Sequence, residues 1–139
     1  MRPRVVLDTN VLVAALRSRR GASFRLLTLI DTGRYETAVS VPLVLEYEAV
    51  AKRLLRAGGL TASDIDAVID YVCSVASHHK IYYLWRPFLR DPNDDMVLEL
   101  AVSSDASVIV THNKRDFAGV DRFGLRVVSP REFLVEIGE

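Results

Sequence analysis

The sequence predicts a single α/β domain, spanning residues 1–139, that is built around a mainly parallel sheet. Short apolar runs, each too brief for a buried helix, alternate with stretches in which apolar residues recur at helical spacing. This alternation is typical of parallel strands joined by helical crossovers. Half of the 139 residues are hydrophobic, which is enough for one substantial core and argues against extended disorder.

The elements of the first third follow from simple local signals. Val5-Val6-Leu7 is an apolar run that stops at Asp8, and helical spacing begins directly afterwards. A second helical stretch runs towards Gly33, where glycine commonly ends a helix. The predicted ranges are strand 4–7, helix 9–18 and helix 22–32.

The middle of the chain predicts two strands that flank two helices. Ser40 and Pro42 open the first of these helices, and Gly58-Gly59 breaks the chain after it. Thr61, with Asp64 three residues later, forms a variant capping box for the second helix. The predicted ranges are strand 37–40, helix 41–55, helix 61–76 and strand 80–85.

The last third predicts two helices and two strands. Asp91-Pro92-Asn93 is a sequence typical of a turn, and a helix is predicted to follow it. Ser129, Pro130 and Glu132 supply the cap, the first-position proline and the third-position glutamate of a final helix start. The predicted ranges are helix 94–103, strand 107–111, strand 125–128 and a helix from residue 130.

Composition limits the class of protein. The 18 basic and 18 acidic residues cancel, which neither indicates nor excludes a nucleic-acid partner, because the distribution of charge matters more than its sum. No apolar run approaches the ~20 residues of a membrane span, and no signal peptide precedes the first strand. The single cysteine, Cys73, excludes an internal disulfide and fits a reducing, cytoplasmic location; we interpret it as a packing residue.

Asp8 stands at the carboxyl end of the first predicted strand, where open α/β sheets form their binding sites. Asp8 could instead cap the helix that follows. Thr9 and Asn10 can also cap that helix, so the local sequence leaves both interpretations open.

Asp94 is expected to point into the protein. Val97, Leu98 and Ala101 follow it by three, four and seven residues, which places all four side chains on one helical face. A buried carboxylate is costly unless it is compensated, which favours a functional role. The alternative is a simple preference of helix N-termini for acids. Asp95 lies about 100° further round the helix and is the second candidate.

Three further acids and an amide are weaker candidates when taken singly. Glu46 and Glu48 lie on opposite flanks of an apolar helical stripe, and periodicity cannot choose between them. Asn113 and Asp116 follow an apolar strand, where such residues often only form turns. Parallel strands should bring Asp8 and this segment to one edge of the sheet. Asp94 opens the helix before the later strand, which suggests the opposite edge unless a loop or a helix tilt intervenes.

Four segments together resemble the PIN-domain ribonucleases, and most closely their VapC-like toxin components. They are Val-Leu-Asp8-Thr9-Asn10-Val, Ser40-Val-Pro-Leu-Val-Leu-Glu46-Tyr47, Asp91-Pro-Asn-Asp94-Asp95 with Leu-Glu-Leu-Ala101, and Val-Ile-Val-Thr111-His-Asn113-Lys-Arg-Asp116-Phe117. The likeness covers nearly the whole chain in the same order. It implies a three-layer α/β/α domain with a central, mainly parallel sheet of four to five strands.

The resemblance also implies a site. It assigns catalytic and metal-binding roles to Asp8, Glu46, Asp94 and Asp116, so that Glu46 is chosen over Glu48. Some family members carry an acid where this chain has Asn113, which puts the fourth position in question and makes Asp116 its replacement. Supporting roles fall to Thr9, Asn10, Asp95, Thr111 and Asn113.

Such a site implies a metal-dependent endoribonuclease. Clustered carboxylates repel one another, and an oxygen-only ligand set suits Mg²⁺ or Mn²⁺ and not zinc. A bound cation of this kind activates water for phosphodiester hydrolysis. Cationic residues near the acids could hold RNA phosphates, although each could equally be part of an ordinary charged loop. These residues are Arg17, Arg19, Arg20, Lys114 and Arg115.

The resemblance further implies an antitoxin partner, is compatible with a homodimer, and implies no membrane association. Three alternatives remain. One is a PIN-like RNA-processing nuclease outside toxin–antitoxin biology, and another is a non-catalytic PIN-like interaction module. The third is a phosphoryl-transfer enzyme with Asp8 as nucleophile, which would need a second aspartate at the position of Asn10.

Overall fold

A computed structural model describes residues 2–55, 58–81 and 87–139. The strands are β1 (Arg4–Leu7), β2 (Glu36–Val39), β3 (Ser77–His78), β4 (Val108–Val110) and β5 (Arg126–Val128). The α-helices are α1 (Thr9–Arg17), α2 (Ala22–Thr28), α3 (Val41–Leu55), α4 (Ala62–Val75), α5 (Pro92–Ser103) and α6 (Pro130–Glu136). Short 3₁₀ helices span Lys114–Phe117 and Val120–Phe123.

The five strands form one sheet in the order β3-β2-β1-β4-β5, and all neighbouring pairs are parallel. From β1 the chain moves outward through β2 to β3, and then returns past β1 to add β4 and β5. The direction of progress therefore reverses between β1 and β4. In an open α/β sheet such a reversal leaves a crevice beyond the carboxyl ends of the two central strands.

Helices cover both faces of this sheet. Helices α1 to α4 pack on one another in a connected group, whereas α5 packs against β1, β2 and β4. Right-handed crossovers on either side of the reversal place the two sets on opposite faces. Strand β4 and the part of β1 after Arg4 are accordingly apolar, and Val5, Val6 and Val108–Val110 are fully buried. The predicted three-layer α/β/α class with a mainly parallel sheet is confirmed.

Two predicted elements are wrong in extent or position. Helix α2 ends at Thr28, and residues 29–32 form turns that run to Gly33 at φ 83°. The strand predicted at 80–85 is also misplaced: Ser77–His78 forms β3 instead, Lys80 and Ile81 lie outside any strand, and 82–85 fall outside the described residues. Strand β3 lies at the edge of the sheet and is held by backbone pairing with β2. Because Ser77 and His78 are polar, the apolar periodicity of the sequence did not indicate a strand there.

The helix-capping predictions are confirmed. Thr61 and Asp64 exchange side-chain and backbone hydrogen bonds at the start of α4, and Ser129 and Glu132 do the same at the start of α6. Helix α5 starts slightly earlier than predicted, because Asp91 caps it and Pro92 occupies its first position. In the described parts of the chain, no helix has both the length and the apolarity needed to cross a membrane.

Tyr47 connects helix α3 to the end of β1. Its side chain is buried, and its hydroxyl donates a hydrogen bond to the carbonyl of Leu7, the residue before Asp8. Burial raises the pKa of the Tyr47 phenol well above its ordinary value, so the group remains a donor at any physiological pH. The contact therefore fixes the position of the strand end from which Asp8 projects.

Replacing Tyr47 with phenylalanine should lower the free energy of unfolding by about 1–3 kcal/mol, because the Leu7 carbonyl loses a buried donor. Chemical denaturation of the wild type and Tyr47→Phe measures the difference. Tyr71→Phe, on the 40% exposed tyrosine of α4, is the matched control and should change little. Equal losses in the two variants would contradict the role given to the Leu7 contact.

Candidate active site

The crevice at the carboxyl edge of the sheet is an open cleft of about 640 Å³. Carboxylates from four separate segments line this cleft, and no two of these segments belong to the same element of secondary structure. They are Asp8 after β1, Glu46 on α3, Asp91 and Asp94 at the start of α5, and Asp116 on the first 3₁₀ helix. The structure thus brings all four predicted acids to one cleft. None of these five carboxylates forms an ion pair with a described residue.

Asp8 caps helix α1, and it also lines the cleft. One carboxylate oxygen, Oδ1, accepts a hydrogen bond of 2.8 Å from the backbone N–H of Thr9 and caps α1. The other, Oδ2, accepts a hydrogen bond of 2.9 Å from the hydroxyl of Thr111, directly after β4. Asp8 is only 8% exposed, so these contacts hold it on the floor of the cleft.

Thr111 is the centre of this polar network. Its hydroxyl donates to Asp8 and accepts from the side-chain amide of Asn10 at 3.2 Å and from the backbone N–H of Asn113 at 3.0 Å. The amide oxygen of Asn10 in turn accepts from the backbone N–H of His112 at 3.2 Å. The ends of β1 and β4 are therefore joined by side chains where the sheet ladder stops. Thr9, Asn10 and Asn113 all line the cleft.

Asp94 lies at the same edge as Asp8, so the expectation that it belongs at the opposite edge is wrong. A crossover helix runs antiparallel to the strands, which puts its start beside their carboxyl ends. The far end of α5 confirms this direction, because the Ser104 carbonyl after it accepts a hydrogen bond from Arg4 at the start of β1. The inward orientation predicted for Asp94 places it in the cleft, half-buried.

Asp95, unlike Asp94, faces the segment that precedes α5. Its Oδ1 atom accepts hydrogen bonds from the backbone N–H groups of Phe88 and Leu89, at 3.2 and 2.9 Å. Asp95 does not line the acidic cleft. It therefore supports the segment before α5, and its connection to the cleft is indirect.

The two candidate glutamates of α3 are separated by the structure. Glu46 lines the cleft, whereas Glu48 pairs with Lys52 at 3.1 Å on another side of the helix. Lys52 also pairs with Asp66 of α4 at 2.9 Å. Glu48 thus belongs to a surface ion-pair group between two helices.

Burial and mutual repulsion disfavour negative charge in the cleft. Burial, reinforced by the charges of Asp8, Asp91, Asp116 and Asp95, raises the pKa of Asp94 to about 7. Burial likewise raises the pKa of Asp8, with Asp116 and Asp91 adding to the effect, while the hydrogen bonds from Thr111 and Thr9 work against it. These carboxylates need a cation or protons to share the space.

The donor set fits a hard divalent cation that keeps part of its water shell. No group of three or more His, Cys, Asp or Glu side chains in the described ranges is close enough to form a ready-made metal cage. Mg²⁺ does not need such a cage, since it commonly binds through one or two carboxylates, several waters and substrate phosphate. Carboxylates with raised pKa values and no cationic partner match that need.

The predicted cationic residues fall into four places. Arg17 lines the acidic cleft, and Arg115 lines an adjoining depression whose wall includes Asp94 and Asp116. Lys114 pairs with Glu132 at 2.9 Å. The remaining two, Arg19 and Arg20, lie in a separate cleft.

Three titratable residues of the acidic cleft were not among the sequence candidates. Arg53 lies seven residues after Glu46 on α3 and so shares its face, a spacing that could have identified it. Asp91 was interpreted only as a turn residue, although it is the N-cap of α5 and so lies beside Asp94. His112 is the second residue after β4, and its Nε2 atom lies 2.8 Å from the hydroxyl of buried Ser23.

Comparison with known proteins agrees with this architecture. A family model described as the PIN domain matches residues 4–115. Among solved structures, the chain resembles VapBC2 from Rickettsia felis, crystallised bound to a DNA fragment from its promoter. The TM-score is 0.62 at 17% sequence identity, with 91% of this chain and 98% of that chain covered. No curated protein matches the sequence.

Removing the Thr111 hydroxyl should raise the pKa of Asp8 further, because the hydrogen bond that favours its charged form is lost. The Thr111→Val variant should also lose about 1–3 kcal/mol of unfolding free energy, since several buried polar groups lose their partner. Carboxyl ¹³C shifts of Asp8, followed with pH in metal-free protein, measure the first effect. Thr111→Ser keeps the hydroxyl and is the control; the same pKa in both variants would refute the assignment.

The charge of Asp94 should destabilise the metal-free protein at high pH. Its folded pKa of about 7 exceeds the ordinary 3.8, so its contribution to stability is present below about pH 4 and lost as the pH rises through 7. Asp94→Asn should therefore melt at a higher temperature than the wild type at pH 8.5 and at a similar temperature at pH 4, a difference read by differential scanning calorimetry. Asp70→Asn, on exposed α4 surface, should show no such dependence. A lower melting temperature for Asp94→Asn at pH 8.5 would contradict this reasoning.

Proposed function

The chain belongs to the PIN-domain family, and from that premise we propose that it is a Mg²⁺- or Mn²⁺-dependent endoribonuclease that hydrolyses RNA phosphodiester bonds. One observation carries the proposal: acids from four separate segments line one cleft, and none has a cationic partner among the described residues. Such an arrangement is costly for a protein that has no cation to bind there.

Each acid has a distinct place in the proposed site. Asp8 and Asp94, whose pKa values are raised by burial and by neighbouring acids, would hold the cation. Glu46 from α3 and Asp116 from the 3₁₀ helix would face it, or its waters, from other walls of the cleft. A bound Mg²⁺ or Mn²⁺ would supply the charge that ionises water and offsets the charge on the leaving oxygen.

The polar residues around these acids would fix their geometry. The hydrogen bonds from Thr111 and Thr9 leave Asp8 little freedom to rotate, so its oxygens are held in place before a substrate arrives. Asn10 and Asn113 attach the two strand ends to the same hydroxyl. Such preorganisation lowers the cost of bringing water and phosphate together.

Acids alone would repel an RNA strand, so the proposal also needs cationic contacts. Arg17 and Arg53 line the same cleft, and Arg115 lines the depression that shares Asp94 and Asp116. None of the three is engaged in an ion pair with a described residue. They would bind phosphates on either side of the cleaved bond.

RNA cleavage with Mn²⁺ tests the proposal directly. Asp8→Asn and Asp94→Asn should each reduce kcat/KM by about 10²-fold or more, because preorganised charge at a reacting centre contributes at that level. Glu46→Gln should also lose activity, whereas Glu48→Gln is its matched control on the other side of α3 and should keep wild-type activity. Activity that survives EDTA, or equal activity in Glu46→Gln and Glu48→Gln, would overturn the proposed site.

The biological setting is part of the same proposal. We infer a toxin that acts in the cytoplasm, is silenced by an antitoxin and can form a homodimer; the fold likeness to VapBC2 supports the antitoxin partner. Expression of the wild-type chain should arrest bacterial growth, and expression of Asp8→Asn should not. Nuclease activity in vitro without growth arrest would favour an RNA-processing role, while the absence of both would favour a non-catalytic module.

A further inference from the structure

A second cleft, of about 500 Å³, lies between the start of α2 and helix α6. Four arginines line it, Arg19, Arg20, Arg25 and Arg131, against a single acid, Glu139. Its apolar surface comes from Phe24, Leu134 and Val135, and the last of these is 70% exposed. The cleft is thus strongly positive in charge and has an exposed apolar patch.

Most of this positive charge is uncompensated. Glu139 is shared by Arg25 and by Arg34 from outside the cleft. Arg19, Arg20 and Arg131 form no ion pair with any residue in the described ranges, and all three are exposed. Three unpaired guanidinium groups around one concave surface favour an anionic partner.

The second cleft continues the first along the chain. Arg17 and Ser18 line the acidic cleft, and Arg19 and Arg20 line the second. Three peptide units separate Arg17 from Arg20, so their backbones are at most about 11 Å apart. A polyanion that leaves the acidic cleft past Arg17 therefore reaches Arg19 and Arg20 within a few nucleotides.

We propose that the second cleft is an exosite for single-stranded RNA, in which Arg19, Arg20 and Arg131 bind phosphates beyond the cleavage position and Phe24 provides a surface for a base. This inference rests on the proposed function for the identity of the strand. A single strand fits because Asp8 lies on the floor of a concave cleft, which a flexible strand can enter and a rigid duplex cannot. Cationic grooves with aromatic surfaces are also the usual means of holding single strands.

The test measures binding separately from cleavage. Fluorescence anisotropy in EDTA, where no metal-dependent cleavage occurs, gives the affinity for a single-stranded RNA of about 16 nucleotides, a length typical of extended single-strand sites. The double variant Arg19→Gln/Arg20→Gln should bind several-fold more weakly. Its slope of log affinity against log salt should fall by about 1.4, that is ~0.7 for each lost phosphate contact. Arg2→Gln, at the opposite edge of the sheet, is the matched control and should bind like the wild type.

Cleavage provides the second measurement. The ratio of kcat/KM for the long RNA to kcat/KM for a dinucleotide should fall in the double variant, because only the long strand reaches the second cleft. An unchanged salt slope, or an equal loss on both substrates, would overturn the exosite. So would unchanged RNA affinity combined with lost binding of polyglutamate, which would assign the cleft to an acidic protein segment. A wild type that binds RNA as expected but never cleaves it would refute the proposed function and leave the exosite standing.

Discussion

The hydrogen bond between Thr111 and Asp8 is the contact on which the rest of the site depends. It joins the ends of β1 and β4, the two strands between which the sheet reverses its direction of progress. A crevice forms at such a reversal because the crossovers leave on opposite faces. The buried hydroxyl keeps Asp8 on the floor of that crevice, and the asparagines on either side use the same hydroxyl as their anchor.

Around this hydrogen bond, the fold brings several carboxylates together, and their mutual repulsion is destabilising. Helix α5 presents Asp91 and Asp94 to a space that already contains Asp8, and Asp116 and Glu46 lie on its other walls. The positive end of the α5 dipole offsets part of this repulsion, but the pKa of Asp94 still rises to about 7. Three glutamates outside the cleft, Glu48, Glu132 and Glu136, do have cationic partners. These paired glutamates stabilise the fold, whereas the unpaired acids of the cleft do not.

The arginines near the site are divided between two clefts. Arg17, Arg19 and Arg20 are close in sequence, yet α1 ends between them and sends them to two clefts. Arg53 is distant in sequence and joins Arg17, because α1 and α3 pack side by side. The arginines that line the two clefts are therefore brought there by helix packing and by the short α1–α2 connection, and not by one basic run.

The sequence by itself determined the class of fold, most element positions and the caps of α4 and α6, because periodicity and capping are local properties of a segment. It also determined that Asp8 ends a strand and that Asp94 faces inward. Only the tertiary structure decided that these groups meet, that Glu46 and not Glu48 joins them, and that Asp91, Arg53 and His112 belong to the same cleft. Periodicity identifies the buried face of one element but contains no distance between elements. The antiparallel course of α5, which brings Asp94 to the edge where Asp8 lies, follows from its place as a crossover helix, but packing alone decides which side chains from the other elements meet Asp94 there.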